Sequence, residues 1–194
     1  MVKLIGKKIN TAIFISGSGT NLNSIIKSSL KKNFPIKVVL IITNNQNAKG
    51  LRYAKKYKIK NKFINSKNMA QFEKKCLKEL ENSNIKLVCL AGFMKILSKK
   101  FIKLFKNKIL NIHPSLLPKY KGLNTHKRVL KNNEKFSGCT VHYVNNKLDS
   151  GKVILQKKIL IKKNETELSL KKKVLKLEHL TFPKAIEIVI RANY

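Results

Sequence analysis

The sequence has few acidic residues. Nine Asp and Glu stand against 43 Lys and Arg, so the formal net charge is +34 over 194 residues. Glycine and proline are also scarce, at eight and four residues, while 43% of the residues are hydrophobic. This composition excludes collagen-like and low-complexity disordered chains. The length is typical of one compact domain, and we predict a single domain over residues 1–194.

Long hydrophobic runs are also missing. The longest apolar stretches, such as residues 38–42 and 87–92, are far shorter than the roughly 20 residues of a transmembrane helix. The N-terminal residues are basic but contain no apolar segment typical of a signal peptide. We therefore expect a cytoplasmic protein without a membrane partner.

The cysteines are too few and too widely spaced to form a disulfide framework. Cys76, Cys89 and Cys139 are an odd number and form no CxxC pair, so neither a disulfide scaffold nor a cysteine metal site is indicated. We expect reduced thiols that pack as small hydrophobic side chains. No second His or Cys lies at ligand spacing either, and we predict no metal site.

The excess positive charge has two interpretations. A basic domain is typical of nucleic-acid binding. However, only Arg52, Arg128 and Arg191 are arginines, the lysines are spread along the chain, and no stripe of aromatic residues offers base stacking. Lys, Asn and Ile all have A/T-rich codons, so a biased genome composition explains the charge without a partner. We favour this explanation, predict no nucleic-acid-binding function, and keep a polyanion-binding surface as the alternative.

The apolar pattern predicts an α/β fold. Strands alternate with helices in the first half, which indicates a mostly parallel sheet with helices on both faces. The predicted strands are residues 9–16, 38–43, 62–64, 86–91, 109–113, 138–144 and 153–161. The predicted helices are residues 21–30, 51–57, 69–80, 126–130 and 167–192.

The second half of the chain differs from the first. The last two predicted strands flank a turn and are expected to form an antiparallel hairpin at the sheet edge. Pro183 is expected to kink or split the final helix. The prediction is a single-domain, Rossmann-like sheet of about seven strands flanked by helices.

A glycine-containing turn, Gly-Ser-Gly-Thr-Asn at residues 17–21, joins the first predicted strand to the first predicted helix. The backbone N–H groups of such a turn and the N-terminus of the next helix can face an anion. A phosphate site is one interpretation and a plain tight turn is the other. The turn is neither a Walker loop nor a complete GxGxxG motif.

Asn111 and His113 alternate with apolar residues at the end of a predicted strand, so both side chains point to the same side. Pro114 and Pro118 then end the regular structure at the carboxyl edge of the sheet, where open α/β sheets bind ligands. An amide beside an imidazole can donate hydrogen bonds to charge developing on a carbonyl oxygen. The alternative is a polar pair that satisfies local turn carbonyls.

Asp149 is the only acidic residue in the loop 145–151. If this loop reaches His113, the carboxylate raises the pKa of the histidine and the two form an acid–base unit. The alternative is an ordinary turn residue, since Asp-Ser-Gly favours turns. We assign structural roles to the other histidines, His126, His142 and His179.

Four motifs occur in the order SGSGTN, LAGFMKILS, LNIHPSLLPKYKG and VHYVNNKLDSGKVILQ. Together they resemble the phosphoribosylglycinamide formyltransferases nearly end to end. Related superfamily members add a further domain that the length does not accommodate. The resemblance implies direct transfer of a formyl group from 10-formyltetrahydrofolate to the amine of glycinamide ribonucleotide in purine biosynthesis, through a tetrahedral intermediate and without a metal. We expect a monomer or a homodimer.

The resemblance also implies phosphate- and substrate-binding β-α units in residues 1–100 and a catalytic and folate-binding half in residues 101–194. It further implies a role for individual residues. The implied catalytic residues are Asn111, His113 and Asp149. The implied substrate-binding residues are Gly19, Thr20, Asn21, Gly92, Pro114 and Glu178. The implied folate-binding residues are Met69, Leu90, Met94, Lys95, Ile96, Leu97, Asn111, Val144 and Asp149.

Four positions depart from the family pattern. Lys95 and Met69 stand where arginine is usual, Lys121 replaces a proline, and Asn124 replaces a histidine. The changes at Met69 and Asn124 concern folate affinity rather than the chemistry of the reacting groups. A neighbouring lysine such as Lys67 is a candidate to supply the missing positive charge.

Overall fold

The computed structural model describes residues 8–192, which form a seven-stranded sheet with helices packed on both faces. The elements in chain order are β1 (Ile9–Ile15), α1 (Thr20–Ser29), β2 (Ile36–Thr43), α2 (Leu51–Lys56), β3 (Lys60–Phe63), α3 (Met69–Asn82), β4 (Leu87–Leu90), α4 (Lys99–Leu104), β5 (Lys108–His113), α5 (Thr125–Lys131), β6 (Phe136–Tyr143), β7 (Val153–Leu160) and α6 (Glu167–Arg191).

The strand order is β3-β2-β1-β4-β5-β6-β7. The first five strands of that order pair in parallel, and β6 and β7 pair antiparallel. This arrangement confirms the predicted α/β fold, with its mostly parallel sheet and its hairpin at one edge. The bounds of the predicted strands differ from the observed ones by a few residues.

The central strand β1 shows why the sheet must be covered on both faces. Ala12 and Phe14 face a hydrophobic core with α3 and α4, whereas Ile13 and Ile15 face a second core with α1 and α6. All four side chains are fully buried. The sequence of a parallel strand that is buried on both faces is a continuous apolar run, and residues 12–15 have that pattern.

Helix α6 corrects part of one prediction. It runs unbroken from Glu167 to Arg191, so Pro183 does not split it. Proline has no N–H to donate to the carbonyl four residues earlier. In this helix that carbonyl, on His179, accepts a hydrogen bond of 2.6 Å from the Ser24 hydroxyl of α1 instead. The neighbouring helix thus replaces the bond that Pro183 removes.

Helix α4 was not predicted. It has only six residues, too few to establish a helical period in a lysine-rich segment. The Ser98 hydroxyl caps it by accepting a hydrogen bond from the Phe101 N–H at 3.1 Å. Tertiary contacts of buried Phe101 with the core under β1 then hold the helix in place.

Both edges of the sheet carry lysine. Lys60 and Lys62 lie on edge strand β3, and Lys157 and Lys158 lie on edge strand β7. Charged residues on edge strands prevent pairing with the edges of other sheets. Within residues 8–192, no helix reaches both the length and the apolar character that crossing a bilayer requires.

Gly138 sets the spacing between β6 and β7. A β carbon at this position would lie 2.0 Å from the Lys157 carbonyl oxygen and 2.7 Å from a methyl group of Leu116. We therefore expect Gly138→Ala to lower the free energy of unfolding by about 3 kcal/mol, measured by urea denaturation.

Gly17→Ala is the matched control, because no atom lies within 4 Å of a β carbon built there. Its free energy of unfolding is expected to change by less than about 0.5 kcal/mol. Equal stability of the two variants would contradict the described contact between β6 and β7.

Candidate active site

A cavity of about 940 Å³ opens at the carboxyl ends of β1, β4 and β5. Helix α6 and the loop after β6 complete its wall, so both halves of the chain contribute. The predicted site residues that line it are Gly19, Thr20, Asn21, Leu90, Gly92, Met94, Lys95, Ile96, Leu97, Asn111, His113, Pro114, Val144, Asp149 and Glu178. These predicted residues therefore lie together in one cavity.

Met69 is the exception among the predicted site residues. It begins α3 and packs, partly buried, against the hydrophobic core under β1. The structure places it outside the wall of the cavity. Its assignment came from the resemblance alone, because Met69 falls where the family usually has an arginine.

The glycine turn reaches the cavity at the N-terminus of α1. Gly19 has φ +70° and accepts the first helical hydrogen bond, from the Asn23 N–H at 2.9 Å. The preceding N–H groups of a helix have no partner within the helix, and the helix dipole is positive at this end. Because Thr20 and Asn21 line the cavity, these donors are available to an anion there.

The glycine turn also packs against the start of α2. A β carbon on Gly19 would lie 2.5 Å from the Gly50 α carbon, so the two backbones touch directly. The Gly50 N–H donates a hydrogen bond of 2.9 Å to the Gly17 carbonyl. The turn is therefore fixed against the start of α2.

Asn111, His113 and Asp149 meet at the centre of the cavity. Asp149 Oδ2 lies 3.1 Å from His113 Nδ1, and Asp149 Oδ1 lies 3.4 Å from Asn111 Nδ2. His113 and Asp149 are only 5% and 9% exposed. The alternation along β5 thus brings both polar side chains to the same carboxylate.

The pKa of His113 departs from our prediction. Burial lowers it below the ordinary histidine value, and the Tyr120 carbonyl and the Asp149 carboxylate only partly offset that effect. The prediction of a raised pKa was therefore wrong in its net direction, because it considered the charge of Asp149 but not the loss of water around the ring.

Asp149 keeps its charge in the same surroundings. Burial acts to raise its pKa, but the nearby His142 side chain, the hydrogen bond from the Gly122 N–H and the charge of His113 together leave the pKa below its ordinary value. The Gly122 N–H lies 2.9 Å from Oδ2. The site therefore contains a carboxylate next to a histidine that loses its proton readily.

His142 belongs to the site although we predicted a structural role. Its Nδ1 lies 2.8 Å from the Tyr143 carbonyl oxygen, so Nδ1 carries the proton. Its Nε2 lies 3.2 Å from Asn111 Nδ2 and can accept a hydrogen bond from that amide. The two residues face each other across β5 and β6. That register could not be read from the sequence.

Ser16 was also missed. Its hydroxyl donates to Asn44 Oδ1 at 2.7 Å and accepts from the Met94 N–H at 2.8 Å. One side chain thereby joins the ends of β1 and β2 to the segment 92–97 that forms one wall of the cavity. Ser16 stands in the conspicuous glycine motif, but nothing in the motif indicates this connection.

Glu178 is another carboxyl group in the cavity wall. It is 6% exposed and accepts a hydrogen bond of 2.7 Å from Asn21 Nδ2. Burial raises its pKa to about 7, and the bond from Asn21 limits the rise. The Asn21 Oδ1 atom is buried without a hydrogen-bond partner among residues 8–192.

Comparison with known proteins identifies the class. A family model described as formyl transferase matches residues 9–186, and the chain belongs to this family. It is similar to phosphoribosylglycinamide formyltransferase of Haemophilus influenzae, with 42% identity over 158 residues that cover 80% of this chain and 74% of the relative. It is also similar to the crystal structure of glycinamide ribonucleotide transformylase 1 from Symbiobacterium toebii, at 33% identity and a TM-score of 0.92, covering 96% of this chain and 90% of that chain.

Another relative is much longer. Trifunctional purine biosynthetic protein adenosine-3 of Gallus gallus is 40% identical over 190 residues, which cover 96% of this chain and 19% of the relative. The chain thus spans about a fifth of that protein. The likeness concerns one segment of the trifunctional protein.

We expect Asp149→Asn to lower the pKa of His113 further, because it removes the negative charge that favours the imidazolium. The pKa is measured by NMR titration of the imidazole signals. Glu187→Gln, which changes a carboxylate in the last turns of α6, is the matched control and is expected to leave the His113 titration unchanged. A rise of the His113 pKa in Asp149→Asn would contradict the described contact.

Glu178 is expected to reduce stability above neutral pH. Its folded-state pKa of about 7 lies above the ordinary value of 4.5, so the free energy of unfolding falls as the pH rises through this interval and then levels off. Glu178→Gln removes this penalty and is expected to raise the free energy of unfolding at pH 8 by up to about 3 kcal/mol.

The measurement is urea denaturation of both proteins at pH 4.5 and pH 8. Glu81→Gln, on the exposed side of α3, is the matched control and is expected to give the wild-type pH dependence. A Glu178→Gln variant that is less stable than wild type at pH 8 would contradict the description of Glu178 as a buried carboxyl group with a raised pKa.

Proposed function

We propose that this protein transfers the formyl group of 10-formyltetrahydrofolate to the amine of glycinamide ribonucleotide, a step of purine biosynthesis. The observation that carries the proposal is the meeting of Asn111, His113 and Asp149 in one cavity, between an anion-binding helix terminus and an apolar wall. The relatives named phosphoribosylglycinamide formyltransferase and glycinamide ribonucleotide transformylase 1 support the same assignment.

The anionic end of the substrate fits the α1 side of the cavity. The N–H groups that begin α1 suit the phosphate, because its charge is stabilised by the helix dipole. Glu178 lies beside Asn21 at this side and offers a carboxyl group to ribose hydroxyls. Gly92 and Pro114 border the space between this end and the reacting groups.

The opposite side of the cavity suits the flat ring system of a folate. Met94 and Ile96 are each 67% exposed, which is unusual for large apolar side chains and provides a surface that a ring can cover. Leu90, Leu97 and Val144 complete the apolar lining. The volume of about 940 Å³ is large enough for a cosubstrate of this size together with a nucleotide-like substrate. When bound there, the folate supplies the formyl group.

In the proposed reaction, Asn111 and His113 stabilise the formyl oxygen. As the amine nitrogen bonds to the formyl carbon, that oxygen becomes negative; the Asn111 amide donates a hydrogen bond to it, and the positive charge of the His113 imidazolium stabilises it. Of the two contacts of Asn111 Nδ2, the 3.4 Å one to Asp149 is the weaker, so that hydrogen is the one available. The developing negative charge beside His113 favours its protonated form and counteracts the effect of burial.

In the proposed reaction, Asp149 transfers a proton from the amine to the folate nitrogen. The amine loses one proton when its bond to the formyl carbon forms, and the folate nitrogen gains one when its bond to that carbon breaks. An ionised carboxylate with a pKa below the ordinary value can receive the first proton, directly or through water, and pass it on. The net reaction therefore needs no proton from solvent.

Polyanion binding is the second candidate function, and it rests on the net charge of +34. Such binding would weaken steeply with salt. Formyl transfer at moderate salt, lost on substitution of His113, would not be explained by it.

We expect His113→Ala and Asp149→Asn each to lower kcat by about a thousandfold in an absorbance assay with both substrates, because each removes a group that acts on the reacting atoms. His179→Ala is the matched control, since His179 lies outside the cavity wall, and it is expected to retain activity. A folded wild-type protein without turnover at any salt concentration would overturn the proposed function.

A further inference from the structure

The turn formed by residues 120–124 contacts both members of the acid–base pair. The Tyr120 carbonyl oxygen lies 2.8 Å from His113 Nε2, which donates to it. The Gly122 N–H donates to Asp149 Oδ2 at 2.9 Å. Two backbone groups, two residues apart, therefore orient the imidazole and the carboxylate relative to each other.

The backbone of this turn is not favourable by itself. Tyr120, Gly122 and Asn124 all have positive φ, at 57°, 78° and 55°. A residue other than glycine in this region costs on the order of 1 kcal/mol or more. Contacts from outside the turn must therefore hold it in this conformation.

Arg128 of α5 provides such contacts. Its Nη1 donates to the Lys121 carbonyl at 2.7 Å and to the Leu123 carbonyl at 3.4 Å. Its guanidinium carbon lies 5.4 Å from the centre of the Tyr120 ring. One side chain thus contacts three of the five residues of the turn.

The far end of the Tyr120 ring is fixed as well. Its hydroxyl donates to Glu134 Oε1 at 2.8 Å and accepts from Asn132 Nδ2 at 3.0 Å. The ring is therefore a stable platform for the guanidinium. A planar guanidinium can pack on an aromatic face while its N–H groups reach two carbonyls, and a lysine ammonium cannot do both.

We propose that Arg128 is a positioning residue, whose guanidinium holds the turn 120–124 so that Tyr120 and Gly122 orient His113 and Asp149. Arg128 is one of only three arginines among the 43 basic residues. Its catalytic consequence rests on the proposed function, whereas its effect on the histidine does not.

The test is Arg128→Lys, which keeps the positive charge and removes the planar group. We expect the His113 Nε2–H signal, assigned by its absence in His113→Ala, to exchange with solvent at least about tenfold faster in the variant, because the Tyr120 carbonyl is no longer held. We expect kcat to fall about tenfold while the KM of each substrate stays within about twofold, since the turn orients the reacting groups. Arg128→Met, which keeps only the apolar stem, is expected to show the same two effects.

Arg191→Lys is the matched control. Arg191 is the last residue of α6, where it pairs with Glu187, and its replacement is expected to leave the His113 signal and kcat unchanged. Wild-type exchange of the His113 N–H in a folded Arg128→Lys protein, with a thermal unfolding midpoint near that of wild type, would overturn the proposal. Faster exchange in Arg128→Lys together with no turnover by wild type would refute the proposed function and leave the positioning role intact.

Discussion

The contact between His113 and Asp149 is the interaction on which the site depends. It joins the end of a parallel strand to a loop of the antiparallel hairpin, so it requires the whole second half of the fold to be in place. Asp149 is the only aspartate in the chain. Among residues 8–192, the basic side chains near its carboxylate are two histidines, at 3.1 and 3.6 Å, rather than any of the abundant lysines. The Gly122 N–H helps to keep it ionised, so the carboxylate is available for proton transfer despite its burial.

Much of the fold was predictable because its core strands are continuous apolar runs, and the segments between them space their apolar residues as helices do. The exceptions depend on contacts between distant segments. Helix α4 is too short to show a period, and it exists because Ser98 caps it and Phe101 is buried. Helix α6 continues through Pro183 because Ser24, far away in the sequence, bonds to the carbonyl that the proline leaves free. Sequence periodicity contains no information about such partners.

The site was predictable to the extent that its residues belong to compact motifs. Asn111 and His113 alternate on one strand, and local geometry suffices to bring them together. Their environment was not predictable, because burial of the imidazole, which reverses the expected direction of the His113 pKa shift, is a property of the folded state. His142 and Ser16 were missed for the same reason, since their contacts depend on strand register and loop position.

The backbone contact between Gly19 and Gly50 has a consequence for recognition. A β carbon on Gly19 would lie only 2.5 Å from the Gly50 α carbon, so the turn has no room to move toward α2. The hydrogen bond from the Gly50 N–H to the Gly17 carbonyl resists movement away from α2. The donors at the start of α1 are therefore held in one arrangement by the fold itself. An anion that binds there would meet donors that are already ordered, so little conformational entropy would be lost.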